Sequence, residues 1–191
     1  MKHLGTVELK TPRLILRKFT KDDARAMYQN WASDPEVTKF LTWPTHSDPE
    51  ISRMVLESWV AEYGIDSYYQ WAIEYEGQPI GSISVVHGND QLEMVHIGYC
   101  IGRPWWHKGI MTEALGALIR FFFEEVGVNR IETRHDPNNP HSGAVMRKCG
   151  MKFEGTLRQS DRNNQGICDA SWYSILRSDY FGERSEVGSG N

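Results

Sequence analysis

The sequence predicts an α/β fold in which helices cover a mixed central sheet, and three observations carry that expectation. Apolar and polar residues alternate with period two over 14–19, 69–75, 80–86 and 92–101, the signature of half-buried strands. After Gly109 the spacing turns helical, placing Met111, Leu115, Leu118, Ile119, Phe122 and Val126 along one stripe. The strand–helix–strand run over 92–134 is long enough for a parallel crossover, in a chain whose other strands are joined as hairpins.

Thr11-Pro12-Arg13 leads into the first strand, where Leu14 and Leu16 face one way and Ile15, Arg17 and Phe19 the other. Thr20 before Lys21-Asp22-Asp23 has the form of an N-cap with acidic residues in the first turn, so a helix is expected to about Trp31. Asp34-Pro35 ends it. A second helix is expected over 49–63, with Ile51, Val55, Trp59 and Val60 near one face. Glu76-Gly77-Gln78-Pro79 turns a hairpin between the next two strands, and Gly88-Asn89-Asp90 precedes a strand over 92–101. In that strand Val95, Ile97, Tyr99 and Ile101 share one side, and His96, Gly98 and Cys100 the other. The triple Phe121-Phe122-Phe123 exceeds what one helical stripe buries, so one ring is expected to pack elsewhere. A strand over 130–134 follows, and Asn139-Pro140 opens a short helix as N-cap and first-turn proline, closed by Gly150. Strands over 151–155 and 168–176, separated by the polar loop 162–166, complete the domain.

The length fits one domain, 1–181, and the Gly, Ser and charged content of 182–191 reads as a mobile tail. A formal net charge of −4 offers no basic excess for nucleic acid. Cys100, Cys149 and Cys168 are widely spaced with no Cys-x-x-Cys pair, which suits reduced thiols and no metal site. There is no signal-peptide core and no apolar run near the ~20 residues that span a bilayer, so the expected location is cytoplasmic, without membrane partners.

Residues 103–114 join the best-patterned strand to the best-patterned helix. A helix start presents unpaired N–H donors and a positive dipole end; Lys108 adds a charge, and Gly109 removes the Cβ that would hold a ligand off the main chain. An anion such as a pyrophosphate suits this place. An ordinary strand-to-helix connection has the same look, so both readings stand at this point.

Trp106-His107-Lys108-Gly109-Ile110-Met111-Thr112-Glu113-Ala114, with Asn139-Pro140-His141-Ser142 and 148–155, resembles the GNAT superfamily of acyl-CoA-dependent N-acetyltransferases. Thr11-Pro12-Arg13-Leu14-Ile15-Leu16-Arg17 and Asp169-x-x-x-Tyr173-Ser174-Ile175-Leu176 are similar to its RimJ/RimL-type branch, which includes ribosomal-protein N-terminal acetyltransferases. The resemblance implies a strongly twisted mixed sheet of six to seven strands with about four helices, and acetyl-CoA as co-substrate. It further implies that the amides of His107, Lys108, Gly109, Ile110, Met111 and Thr112 hold the CoA pyrophosphate, and that the strand at Tyr99, Cys100 and Ile101 pairs with the pantetheine arm. Asn139 would contact the cofactor and Ser142 would lie near its thiol. The acceptor implied is a primary amine, foremost a protein or peptide N-terminus, with a small amine such as an antibiotic or polyamine, or a CoA-binding module without turnover, as alternatives. A monomer or homodimer fits the branch.

Transfer from a thioester to an amine needs a neutral amine, a polarised carbonyl and a protonated leaving thiolate. Where the family commonly has Glu, this chain has His96, whose ordinary pKa of ~6.5 suits a base, though a hydrogen-bonded strand histidine reads equally well. Glu93 is a second base candidate; His87, His107, His135 and His141 are weaker ones. Met146 stands where many relatives place a tyrosine acid, which leaves Ser142 as the acid candidate against a plain first-turn serine. Trp31, Trp43, Trp59, Tyr63, Tyr68 and Tyr69 line either the acceptor groove or the core, and Glu36, Asp48 and Asp66 attract an amine or are merely solvated.

Overall fold

The computed structural model describes the backbone of residues 1–187 and the side chains of residues 1–182. In chain order the strands are β1 Leu9–Lys10, β2 Leu14–Arg17, β3 Gln70–Tyr75, β4 Gln78–Asn89, β5 Met94–Ile101, β6 Arg130–His135, β7 Lys152–Asn163 and β8 Gly166–Leu176. The α-helices are α1 Ala24–Met27, α2 Pro35–Thr38, α3 Pro49–Glu62, α4 Ile110–Phe121, α5 Pro140–Lys148 and α6 Arg177–Val187. Among the described residues the strands form one sheet in the order β1-β2-β3-β4-β5-β6-β8-β7. Among the described residues only β5 and β6 run parallel, so the crossover gives the mixed sheet expected of it. Strands and helices are more numerous than the six to seven and about four expected, because β1 has two residues and α1 and α2 one turn each, too short for any periodicity to show. Helix α6 reaches Val187, over part of the segment read as a tail, and 188–191 lie outside the described residues.

The pleat sends alternate side chains to two separate cores. On one face Leu14, Leu16, Trp71, Ile83, Val95 and Ile97 meet Ile110, Leu115, Leu118 and Phe122 of the α4 side, together with Met146 of α5. On the other, Ala72 and Cys100 meet Phe19, Met27, Trp31 and Leu56 from the α1–α3 layer. All three phenylalanines at 121–123 are buried in the first core. After Phe121 the helix widens into a π-type turn, Phe122–Val126, where Gly127 N–H bonds to Phe122 O at 2.9 Å. Phe121 and Phe122 pack on Tyr69 and Trp71, while Phe123 stacks on Tyr180 of α6 with centroids 5.0 Å apart.

Three further expectations change. The helix read as continuous to Trp31 is a 3₁₀ turn, then α1, then a π-type turn Tyr28–Ala32 in which Ser33 bonds back to Tyr28 O. The inward face of α3 carries Ser52 and Leu56 rather than Ile51, which is 37% exposed, because the Ser52 hydroxyl meets the buried His46 Nδ1 at 2.7 Å. Strand β7 runs far past residue 155: nearly all its side chains are exposed and two irregularities interrupt its pairing with β8, so no alternation marks it.

Candidate active site

The site lies where β5 and β6 part. Among the described residues their pairing covers Met94↔Arg130, Val95↔Ile131 and His96↔Glu132 and then stops, although β5 continues to Ile101 and β6 to His135. Two lips of strand with unmatched edges therefore open a cleft through the sheet. One end leads to the start of α4 and the first turn of α5, the other to the α1–α3 side.

At the start of α4, His107 and Gly109 both take positive φ, +59° and +73°, which curls the successive N–H groups of the loop toward one side. Glycine adopts this conformation without the Cβ penalty. The first helical bond runs from Glu113 N–H to Gly109 O at 3.1 Å, so the amides of Ile110, Met111 and Thr112 have no carbonyl within the helix. Lys108 is exposed beside them, its carbonyl turned away to Arg13 Nη1 at 2.8 Å. This donor set suits a pyrophosphate. The rings of His107 and His141 touch with centroids 4.6 Å apart, so the loop and α5 meet.

Ser142, in the first turn of α5, donates its hydroxyl proton to Tyr99 Oη at 3.1 Å, and Tyr99 donates to Ser142 O at 3.2 Å. Burial pushes the Tyr99 phenol up, so it stays protonated. Asn139 holds the N-cap position with no hydrogen bond from its side chain to the helix, contrary to the capping role expected of it. Cys100 points into the opposite core, where Sγ meets Ser82 Oγ at 3.5 Å, and Ile101 O accepts from Trp106 Nε1 at 2.9 Å. Met146 is fully buried core.

His96 faces the other side of the sheet from Tyr99, 5% exposed, with both ring nitrogens engaged. Arginine can only donate, so the Arg134 Nη1 contact at 3.1 Å makes Nε2 the acceptor. Nδ1 then carries the proton, given to Glu132 Oε1 at 3.2 Å. Burial pushes the imidazole below its ordinary value, with Glu132 working against that and Arg134 adding to it. The one basic nitrogen of His96 is therefore occupied by Arg134. Asp161 grips the same guanidinium at Nε (2.6 Å) and Nη2 (3.2 Å). Sequence reasoning missed Arg134 and Asp161, although Arg130, Glu132 and Arg134 at alternate positions of one strand were a signal of a charged face.

Asp161 also lines an open cavity of about 610 Å³ with Thr42, Arg162, Asn163, Asn164 and Gln165, on the side of the sheet away from α4. The turn between β7 and β8 roofs it: Asn164 N–H bonds to Leu41 O at 3.1 Å and its Nδ2 to Thr38 O and Trp43 O at 2.8 Å each. Of the aromatic candidates, Trp31 and Tyr69 are core. Trp59 packs on Phe19, Tyr63 and Tyr68 pack edge-on together, and only Trp43 borders this roof. Glu93 lies in the turn before β5, at the end of the strand away from the cleft.

The structure thus brings together a sheet split at one parallel pair, a helix start with free amides at the split, and a hydroxyl pair beside it. Residues 13–152 match the family model described as an acetyltransferase (GNAT) domain, and the chain belongs to that family of N-acetyltransferases. It is 30% identical to "Uncharacterized N-acetyltransferase p20" of Bacillus licheniformis, over 91% of this chain and 98% of that protein. It is 27% identical to the [Ribosomal protein uS5]-alanine N-acetyltransferase of Escherichia coli, over 78% and 80% of the two chains. Its fold is similar to that of RimL, a ribosomal L7/L12 alpha-N-protein acetyltransferase solved with coenzyme A, with a TM-score of 0.80, 20% identity, and coverage of 89% and 98%.

Proposed function

We propose that this protein acetylates the amine of a protein or peptide N-terminus, using acetyl-CoA in a direct ternary complex. The observation that carries the reading is the parting of β5 and β6, which has the α4 start and Ser142 on one face and His96, linked through Arg134 to Asp161 at the edge of the cavity, on the other. Donor and acceptor can thus approach from opposite faces and meet without a covalent enzyme intermediate. Acetyl-CoA supplies a thioester already activated toward amines. The loop amides at 107–112 hold its phosphates, and the lips of β5 and β6 orient its arm. Once its hydroxyl turns from Tyr99 Oη, Ser142 passes a proton to the departing sulfur and regains one from water, while Tyr99, kept protonated by burial, holds Ser142 by its carbonyl. His96 takes the amine's proton at Nε2 once Arg134 turns aside. The Gln165 side-chain amide in the cavity complements peptide backbone groups. The names of the uS5-alanine acetyltransferase and RimL, each a ribosomal-protein acetyltransferase, support a protein acceptor. Three free cysteines fit a reducing cytoplasm, and no helix among the described residues is long and apolar enough to cross a membrane.

The test is thiol release from acetyl-CoA across N-terminal peptides and small amines. Saturable turnover of a peptide is expected, and Ser142→Ala should lower kcat about 100-fold while leaving the affinity for CoA near wild type. A polyamine or amine antibiotic with higher kcat/KM than every peptide would count against the acceptor, and an unchanged kcat in Ser142→Ala against the acid.

A further inference from the structure

One carboxylate ties the start of β2 to the first turn of α4. Glu113 Oε1 accepts from the Thr11 hydroxyl at 2.6 Å and from the Arg13 amide at 2.9 Å, and Oε2 accepts from Arg13 Nε at 2.6 Å. Held this way, the Arg13 guanidinium lies under the loop: Nη1 donates to Lys108 O at 2.8 Å, and Nη2 comes within 3.5 Å of where a Gly109 Cβ would stand. Glu113 stays ionised, since these hydrogen bonds outweigh its partial burial and hold its carboxyl below the usual range.

The direction of one peptide unit gives this cluster its importance. An exposed ion pair contributes little to stability, and the Arg13 side chain is 42% exposed. The peptide between Lys108 and Gly109 is planar and trans, so its C=O and N–H point opposite ways. With the carbonyl fixed on Arg13, the Gly109 N–H must point away from Arg13. A loop with positive φ on both sides of Lys108 can also reverse this peptide, which would aim the carbonyl where the Gly109 N–H now points. We propose that Arg13 is the positioning residue of the donor loop: it sets the 108–109 peptide so that Gly109 N–H joins the anion-binding donors of α4, with Thr11 and Glu113 holding the guanidinium in place. This rests on the reading of that loop as the CoA phosphate site.

The test compares two ligands that share the thiol arm, CoA by calorimetry and pantetheine, which lacks the pyrophosphate, by NMR titration. Wild type is expected to bind CoA far more tightly. Arg13→Met should weaken CoA about tenfold and leave pantetheine unchanged, as loss of charge-assisted hydrogen bonds to one end of the ligand's site requires. Arg13→Lys keeps the charge but not the rigid fork that reaches Glu113 and the carbonyl together, so it should recover little of the loss; it also carries the comparison if Arg13→Met does not fold. Unchanged CoA affinity, equal weakening of both ligands, or full recovery by lysine would each overturn the positioning role. A wild-type protein with no preference for CoA over pantetheine would instead overturn the phosphate-site reading.

Discussion

At the scale of single residues, the chemistry turns on which proton sits where. His96 is visible in sequence as the strand residue that departs from the family's usual Glu, yet its tethers are not, because Arg134 and Asp161 reach it only through the β5–β6–β8–β7 pairing. The arrangement predicts the effect of Arg134→Met. Burial remains, but a cation and a donor to Nε2 are removed while Glu132 stays, so the His96 pKa should rise from its lowered position. Histidine NMR across a pH series reads this directly, and the acidic limb of the pH–rate profile should move to higher pH with it. A His96 that titrates as in wild type would show that Arg134 does not restrain it. Ser142 was legible from the Asn139-Pro140-His141-Ser142 motif; its exchange of hydrogen bonds with Tyr99 was not, since 43 positions separate the two.

Among the elements, the strongly periodic ones were legible and the outer ones were not. Helix α4 buries a continuous stripe and strand β5 sends apolar residues to the core against α4, so sequence and structure agree closely there. Strand β7 is an edge with solvent on most of its side chains, and what fixes its length is pairing to β8 rather than any pattern of its own. Helix α3 shows the opposite failure, where a polar Ser52 is inward because His46 waits for it. The roof over the Asp161 cavity depends on the β7–β8 turn, and Asn164→Ala removes both of its side-chain bonds, to Thr38 at the end of α2 and to Trp43 beyond it. A loss of about 1–2 kcal/mol in unfolding free energy is expected, with faster hydrogen exchange of the residue-164 amide bonded to Leu41 O. Exchange at the wild-type rate would mean that the turn is held by other contacts.

Across the whole molecule, three histidines and several carboxylates tie stability to pH in the same direction. Burial pushes His46, His96 and His135 below the ordinary value near 6.5, so between the folded and unfolded values the unfolded chain binds more protons. Their contribution is complete above about pH 6.5 and falls as pH drops toward the folded values. Glu154, brought to about 2 by Arg130, and Glu113 and Asp161, also lowered, contribute above the unfolded carboxylate range and lose that contribution on further acidification. The Tm should therefore fall from about pH 7.5 to 5.5 and again below about pH 4.5, and His46→Asn should flatten the first stage. A Tm level across the first window would contradict the buried-histidine account. The family and the mixed sheet were legible because the α4 start, the Asn139–Ser142 turn and the late strand fall in a fixed order, whereas the cavity beside Asp161 is assembled from distant turns. The short β5–β6 seam has a mechanical consequence as well. It leaves the sheet as two half-sheets, β1–β5 and β6–β8, stitched by three residue pairs and by the covering helices. A ligand that bonds to both lips stands in for the missing rungs of that ladder. Occupying the seam and strengthening the cohesion of the two halves are then one equilibrium.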